Sequence, residues 1–448
     1  MKKFTKKLTA LFLAFALIIS IMPLNVSMSF AETLNPSEVK TYTVTHKNPA
    51  YEGLDIKTYS PKHHKVYSAN QTFDTVEEAG DYLKKQMIDR NGTITLTINQ
   101  AYYEGIFEDI FYEAVKDNGY GNSSAGDYLY WNWAGYEGSG QATDISTTLI
   151  YDMSYLSTYA QELQVNAEVK KVLDSLDVYN EEEYDKVLAV HDYIVENIEY
   201  DYDLNNYSGY NAIVDKNVVC QGFASITSKM LKELNVGVRV ISGTGNGGAH
   251  GWNIIKLGSY WYNTDNTWDE NLASYDMYSY FLKGSTDFPD HIRDDQFDTE
   301  SFHLTYPMAK SAYDKIDVKF ENGTDVITKK IANGDILEYI PEAPTKDGYT
   351  FVGWFKDVDD ITTEYQSGAT YTEDVTYTAK WAHVDMLGAQ VKAIVNDESG
   401  IRFGTKIYDD GDEIVEKGTL ILPAALLPQG EALTLDTPKV VKSVGKVN

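Results

Sequence analysis

Apolar residues fall at helical spacing between positions 74 and 90, where Val76, Ala79, Leu83 and Met87 share one face and Asn91-Gly92 supplies a stop. Residues 93–98 then alternate polar and apolar, the period of a half-buried strand. The same reading predicts a helix over 103–116, strands over 128–133 and 144–151, and a helix over 157–176. A further helix is predicted over 180–198. Its apolar stripe is Val187, Val190, Ile194 and Ile198, and Asn180 with Glu183 fits an N-cap and its capping-box partner. His191 lies beside that stripe. It reads as a core or boundary histidine, because no cysteine or histidine stands at helical spacing to complete a metal site.

Residues 32–70 are polar and poorly periodic, which predicts an extended segment. The texture changes again near residue 315. Strand-like segments at 317–320, 349–355 and 370–381 alternate with turns rich in Gly, Asp and Pro, and further alternating runs follow at 401–407 and 419–422. Residues 386–448 are therefore expected to be β-rich, and the stop just after Val440-Val441, with no polar tail, leaves two expectations open: one end of a longer protein, or an incomplete last domain.

At the other end, Lys2, Lys3, Lys6 and Lys7 precede a 15-residue apolar run, 8–22, and small residues leading to Ala31. That run is shorter than the roughly 20 residues of a membrane-spanning helix, so the expectation is a signal peptide cleaved after Ala31 and a mature chain outside the cytoplasm with no membrane span. Removing residues 1–31, which hold four lysines and no acid, takes the formal charge from −29 to −33. A chain this acidic is a poor partner for nucleic acid.

The chain has one cysteine, so it cannot form an internal disulfide. Cys220 opens a helical pattern of Cys220, Phe223, Ala224, Thr227, Leu231 and Leu234, and Val218-Val219 before it are β-formers. The thiol is thus expected at a helix N-terminus, where free N–H groups and the dipole favour a thiolate and the Cys220 amide can serve an oxyanion. His250 follows Gly243, Gly245, Gly247 and Gly248, read as a flexible glycine-rich loop; no Gly-Lys-Ser/Thr follows, so it is not a phosphate loop. From His250 to Asp265 the pattern is a hairpin turning at Gly258-Ser259. If Leu257 faces Tyr260, paired positions sum to 517 and Asp265 lies opposite Trp252. His250 and Asp265 are then diagonal neighbours on one face, about 7–8 Å apart at Cβ. Spacing alone leaves open whether the three residues act together.

Three local words go further. Val218-Val219-Cys220-Gln221-Gly222-Phe223-Ala224, Gly248-Ala249-His250-Gly251-Trp252-Asn253 and the run from Trp261 through Asp265 to Asp269 resemble the transglutaminase-like superfamily over about residues 160–310. The resemblance implies an α+β fold: a papain-like transglutaminase core with the Cys helix packed on an antiparallel sheet. It implies Cys220 as nucleophile, His250 as general base and acid, and Asp265 as the orienting group, with Asp269 a weaker candidate. Asn266 departs slightly from the family pattern. The segment from Pro344 to Phe355, closing with Thr376 to Trp381, resembles the internalin-type B (Listeria–Bacteroides) repeat, which implies a small β-grasp-like fold and bacterial surface proteins; Trp354 and Trp381 read as its core. The expected organisation is a signal peptide 1–31, an N-terminal extension 32–155, a catalytic domain 156–314, the repeat 315–382 and a β-rich region 383–448.

No cofactor or metal motif stands out. Asp201-Tyr202-Asp203-Leu204-Asn205 starts like a calcium loop but Asn206 replaces the required glycine. Leu427-Pro428-Gln429-Gly430 lacks the threonine of a wall-sorting signal. Two functions fit. One is a secreted or cell-surface cysteine enzyme acting on amide bonds of peptides, proteins or wall peptides through a thioester, with hydrolysis or deamidation as the default over cross-linking. The other is a non-catalytic surface scaffold using the same fold.

Overall fold

The computed structural model describes residues 39–51, 53–61, 71–272, 276–395, 398–408, 418–422 and 439–444. The signal-peptide reading and the Leu427–Gly430 segment lie outside them. Contacts divide the chain into two units, Met1–Tyr313 and Asp314–Asn448. No helix of the described residues is long and apolar enough to cross a membrane.

The first unit begins with β1 (Lys40–Lys47), β2 (Gln71–Phe73), α1 (Val76–Ile88), β3 (Thr93–Ile98), α2 (Ile106–Val115), α3 (Asp127–Trp131), β4 (Trp133–Ala142) and β5 (Thr147–Tyr155), and its strands form a sheet in the order β1-β4-β5-β3-β2. Thr75 caps α1 by accepting the Glu78 N–H at 3.1 Å. Ala79, Leu83 and Met87 pack with Ile94, Leu96 and Ile98 in one core. A Cβ at Gly80 would meet the Glu113 side chain at 2.4 Å, so this glycine sets how closely α1 and α2 pack.

Then come α4 (Tyr159–Leu176), α5 (Glu183–Asn197), β6 (Glu199–Tyr200), β7 (Asn217–Val218), α6 (Cys220–Glu233), β8 (Val238–Gly245), β9 (Gly248–Leu257), β10 (Tyr260–Thr264), α7 (Asn266–Leu272), β11 (His291–Arg293) and α8 (Glu300–Thr305). A second, antiparallel sheet has the order β10-β9-β8-β11, and α6 packs against β8 and β9. This is the α+β arrangement expected, with the Cys helix laid on an antiparallel sheet.

Buried polar contacts tie the first sheet's segment to the second. The Asp127 carboxylate accepts from Arg239 at 2.8 and 3.1 Å and from the Val240 N–H at 2.7 Å. Asn132 donates to Ser225 at 2.9 Å, Arg90 pairs with Glu162 at 2.8 Å, and Lys232 pairs with Asp117.

The second unit holds β12 (Lys315–Glu321), β13 (Val326–Ala332), β14 (Ile336–Leu337), β15 (Tyr349–Phe355), β16 (Ala369–Thr370) and β17 (Val375–Val395). Its main sheet runs β13-β12-β17-β15, with β12 and β17 parallel, and Glu398–Tyr408 extends it beside β17. Val318, Phe320, Trp354 and Tyr377 form its core, and the half-buried Trp381 packs against them.

Three local readings are corrected. Residues 128–133 are not a strand: the aromatic run folds as α3, because Asp117 anchors the Asp127 N–H at 2.6 Å and the aromatic side chains pack into the core, while the strand starts only at Trp133. Asn180 does not cap α5, whose N-cap is Glu182 without a side-chain bond; Glu183 and Asp185 in the first turn serve the dipole instead. The capping box occurs one helix earlier, between Thr158 and Gln161. Finally, Gly243 and Gly245 are strand residues, not loop. The connection is the two-residue turn Asn246-Gly247, both at positive φ (50° and 82°), as a type I′ hairpin requires.

Candidate active site

Cys220 is the first residue of α6. The preceding Val219 is extended (φ −81°, ψ 172°) and makes no side-chain cap; its carbonyl accepts the Gly222 and Phe223 N–H groups at 2.9 and 3.2 Å, so the Cys220 and Gln221 N–H groups are the ones with no intrahelical carbonyl to bond. Gly222 permits this tight entry, since a Cβ there would meet a Val218 methyl at 2.0 Å. Residues 221–232 of the helix are buried and Cys220 itself is half-buried, which leaves the positive helix end poorly screened beside an accessible sulfur. The Gln221 side chain is occupied: it donates to the Trp131 carbonyl at 3.0 Å and to the Tyr51 hydroxyl.

The hairpin beside it has the expected register. Leu257 faces Tyr260 and Asn253 faces Thr264, with Gly258 at φ +59° in the first turn position. Asp265 follows at the joint between β10 and α7. His250 Nε2 meets Asp265 Oδ2 at 2.7 Å, and the ring also hydrogen-bonds the Cys220 side chain. Nε2 is engaged by the carboxylate, so Nδ1 is the nitrogen left for sulfur. Burial works against a charged His250 ring, but the bonds to Asp265 and Cys220 outweigh it and push its pKa up to about 10. Burial likewise opposes charge on Asp265, and the hydrogen bonds from His250 and His291 overcome it to hold the carboxyl below its ordinary value. Oδ1 of the same carboxylate accepts the Thr267 and Trp268 N–H groups at 3.0 and 3.3 Å. The structure thus brings Cys220, His250 and Asp265 together.

Sequence reasoning missed His291. It lies on β11, placed opposite Gly245 by pairing with β8, and its Nε2 meets the same Asp265 Oδ2 at 3.0 Å. A Cβ at Gly243 would strike the Ile292 carbonyl oxygen at 2.0 Å, so glycine is what lets β11 approach. Nothing periodic marks His291 in the sequence. The ligand atoms of His250, Asp265 and His291 lie within 4.8 Å of one another, a set that three-point metal binding could use. As placed, those atoms are engaged in hydrogen bonds with each other, and the cluster reads as a hydrogen-bonded chain.

Asp269 does not join the cluster. It accepts from His191 Nε2 at 3.0 Å and from the Tyr280 N–H at 2.8 Å, and His191 is buried against Tyr278 and Phe281. The core reading of His191 therefore stands, with a specific partner added. Asp201 holds its own loop by accepting the N–H groups of Asp203, Asn205 and Asn206 at 2.8–3.1 Å, the work of a turn rather than an ion loop. That loop carries Asn206, whose carbonyl accepts the Val219 N–H at 3.0 Å, and Tyr207, which lies in electrostatic range of Cys220. A cavity of about 260 Å³ opens there, lined by Gln161, Asn205, Asn206, Tyr207 and Tyr210.

Residues 170–266 match the family model described as the transglutaminase-like superfamily, and residues 317–380 match that of the Listeria-Bacteroides repeat domain. No curated protein matches the chain. Among solved structures, one described as a TGase is 12% identical over 44% of this chain and 60% of its own, with a TM-score of 0.23. Another, a candidate cysteine protease from Cytophaga hutchinsonii, is 15% identical over 45% of this chain and 72% of its own, with a TM-score of 0.23. The chain thus carries a transglutaminase-like core ahead of a Listeria–Bacteroides repeat.

Proposed function

We propose that this protein is a secreted or cell-surface cysteine enzyme that cleaves amide bonds of peptides or proteins through a thioester. The observation that carries the reading is the single histidine, His250, held between the Asp265 carboxylate and the Cys220 sulfur at the open end of a buried helix. The thiolate of Cys220 attacks the amide carbon. Negative charge gathers on the carbonyl oxygen near the Cys220 N–H. His250 gives its Nδ1 proton to the departing amine, and a thioester remains. His250 then takes a proton from water, which attacks the thioester, releasing a carboxylic acid and the thiolate. Asp265 stays ionised throughout and stabilises the imidazolium.

Hydrolysis is favoured over cross-linking because water needs no site, whereas an acceptor amine must be bound and water excluded. The Listeria–Bacteroides repeat supports a surface location. The test is mass spectrometry of a protein mixture incubated with the enzyme, a primary amine and isotopically heavy water. Heavy oxygen appearing at Gln, Asn or new C-termini with wild type but not with Cys220→Ala supports hydrolysis. Amine incorporation instead indicates transfer, and identical products from the two proteins refute the enzyme reading.

A further inference from the structure

His291 is the one group of the cluster that the chemistry above leaves without a role. Its Nε2 shares Asp265 Oδ2 with His250, at 3.0 Å against 2.7 Å. Its ring is fixed by aromatic neighbours: Phe288 stacks on it at 3.8 Å, Trp268 lies at 4.3 Å and Trp252 at 5.0 Å. Its Nδ1 is buried with no hydrogen-bond partner among the described residues. A proton there would be an unsatisfied buried donor, so the ring's proton belongs on Nε2, and His291 donates while Asp265 accepts. Two imidazoles and two backbone N–H groups then surround one carboxylate.

We propose that His291 is a positioning residue: by holding and partly neutralising Oδ2, it fixes the carboxylate for His250 and moderates how strongly that carboxylate retains the His250 proton. The inference rests on the thiol chemistry proposed above. A carboxylate that lost this donor would be free to turn about its remaining bonds, and its charge would fall more fully on His250. Orientation would worsen while the imidazolium became harder to discharge. The titratable groups around the site are Cys220 on α6, with Tyr51, Tyr200 and Tyr207 in range of its sulfur, Asp265 just before α7 and Asp269 on it, Tyr280 packed on Trp268 with Asp290 beside it, and His291 on β11.

The test uses the full chain and needs no substrate. Cys220 is the only cysteine, so iodoacetamide alkylation followed by mass reports on it alone. Rates are measured across pH for wild type, His291→Phe and His291→Gln. Phe keeps the aromatic packing without a donor; the Gln amide nitrogen can stand where Nε2 stood. His291→Phe should move the basic step of the profile up by about one pH unit, the size of one charge-assisted hydrogen bond. It should also lower the neutral-pH rate by roughly tenfold, as loss of a supporting partner does at other sites. His291→Gln should restore both towards wild type. If His291→Phe loses the wild-type melting transition, His291→Asn, whose shorter amide cannot reach Asp265, takes its place.

An unmoved basic step in the donor-less variant overturns the proposal, as does a Gln variant no better than Phe. So does loss of wild-type reactivity in EDTA, which would make the cluster a metal site. In each of these cases wild-type Cys220 can still be reactive and His250-dependent. A wild-type thiol that alkylates only as a free thiol, indifferent to His250, overturns the thiol chemistry itself and this inference with it.

Discussion

Asp265→Asn changes one atom of a buried side chain and should disable the site without unfolding it. The carboxylate receives four hydrogen bonds, from His250, His291 and the N–H groups of Thr267 and Trp268. In the variant the amide oxygen can keep the two backbone donors, which turns the NH₂ group towards the two imidazoles. A donor now faces the His250 nitrogen that was itself a donor. The ring must change tautomer, which puts a proton on the nitrogen facing Cys220 and leaves nothing there to accept one. The charge that held His250 near 10 is also gone, so burial draws the ring below its ordinary 6.5. A hydrogen bond to a charged partner is worth about 1.5–3 kcal/mol, or roughly 10- to 150-fold in the thiolate–imidazolium population. The wrong tautomer adds to that, and the corresponding change in a serine triad costs about 10⁴ in turnover. The expected result is a neutral-pH alkylation rate of Cys220 lowered by at least about tenfold and a turnover lowered by about 10³–10⁴, with the cooperative melting transition kept. Asp269→Asn is the control. It breaks the bond to His191, so it should lower the melting temperature while leaving most of the Cys220 reactivity. A reversed ranking, with Asp269→Asn inert towards iodoacetamide and Asp265→Asn near wild type, would refute the assignment.

His250 also makes a pH signature. Its folded pKa is raised, so its stabilising contribution is complete below about pH 6.5 and is lost as pH rises through about 10. The difference in melting temperature between wild type and His250→Gln should shrink across that window, and a difference that grows with pH counts against the pairing. Gly243→Ala should push β11 away from β8, costing about 1–3 kcal/mol in denaturant unfolding and slowing Cys220 alkylation through His291; an unchanged midpoint would show that the strands can shift freely. Asp127→Ala takes the bidentate carboxylate from the largely covered Arg239, leaving it Tyr306 and, at 3.9 Å, Asp117, and should cost about 3 kcal/mol in the same assay, whereas a loss under about 1 kcal/mol would contradict the pairing. A fragment of residues 32–313 should unfold in one cooperative transition followed by circular dichroism, and an insoluble or gradually melting fragment would mean that it depends on the second unit.

The hairpin was legible because three independent signals agree on it: Gly258-Ser259 fixes the turn, alternation fixes the face, and the count of two per repeat carries the face to Asp265. The Cys helix was legible for a similar reason, since β-formers meet a helical stripe at Cys220. Residues 128–133 misled because their aromatic content is shared by strands and by short helices packed into a core, and the deciding contact, Asp117 with Asp127, comes from tertiary structure. The I′ turn at Asn246-Gly247 was present in the sequence, but four nearby glycines suggested a loop. Those at 243 and 245 serve close approach instead, to Ile292 in one case and to Trp268 and His250 in the other. His291 had no such signal. Its strand is three residues long, and its meeting with Asp265 depends on a strand order that local pattern does not encode.

The first unit is cross-linked by charge where sulfur is absent. Asp117 with Lys232, Asp127 with Arg239 and Arg90 with Glu162 each join residues 72 to 115 positions apart, and the sole thiol belongs to the candidate site. Such long-range pairs cannot form until both ends of the span exist, so the unit should assemble late and slowly, as a whole rather than piece by piece. It needs no oxidant and no disulfide isomerase to do so. Refolding from urea should proceed equally well with or without reductant, and every molecule that regains its fold should regain one titratable sulfhydryl. The fraction of that sulfhydryl that labels fast at neutral pH, rather than at the slow rate of an unfolded chain's thiol, measures the yield of assembled sites.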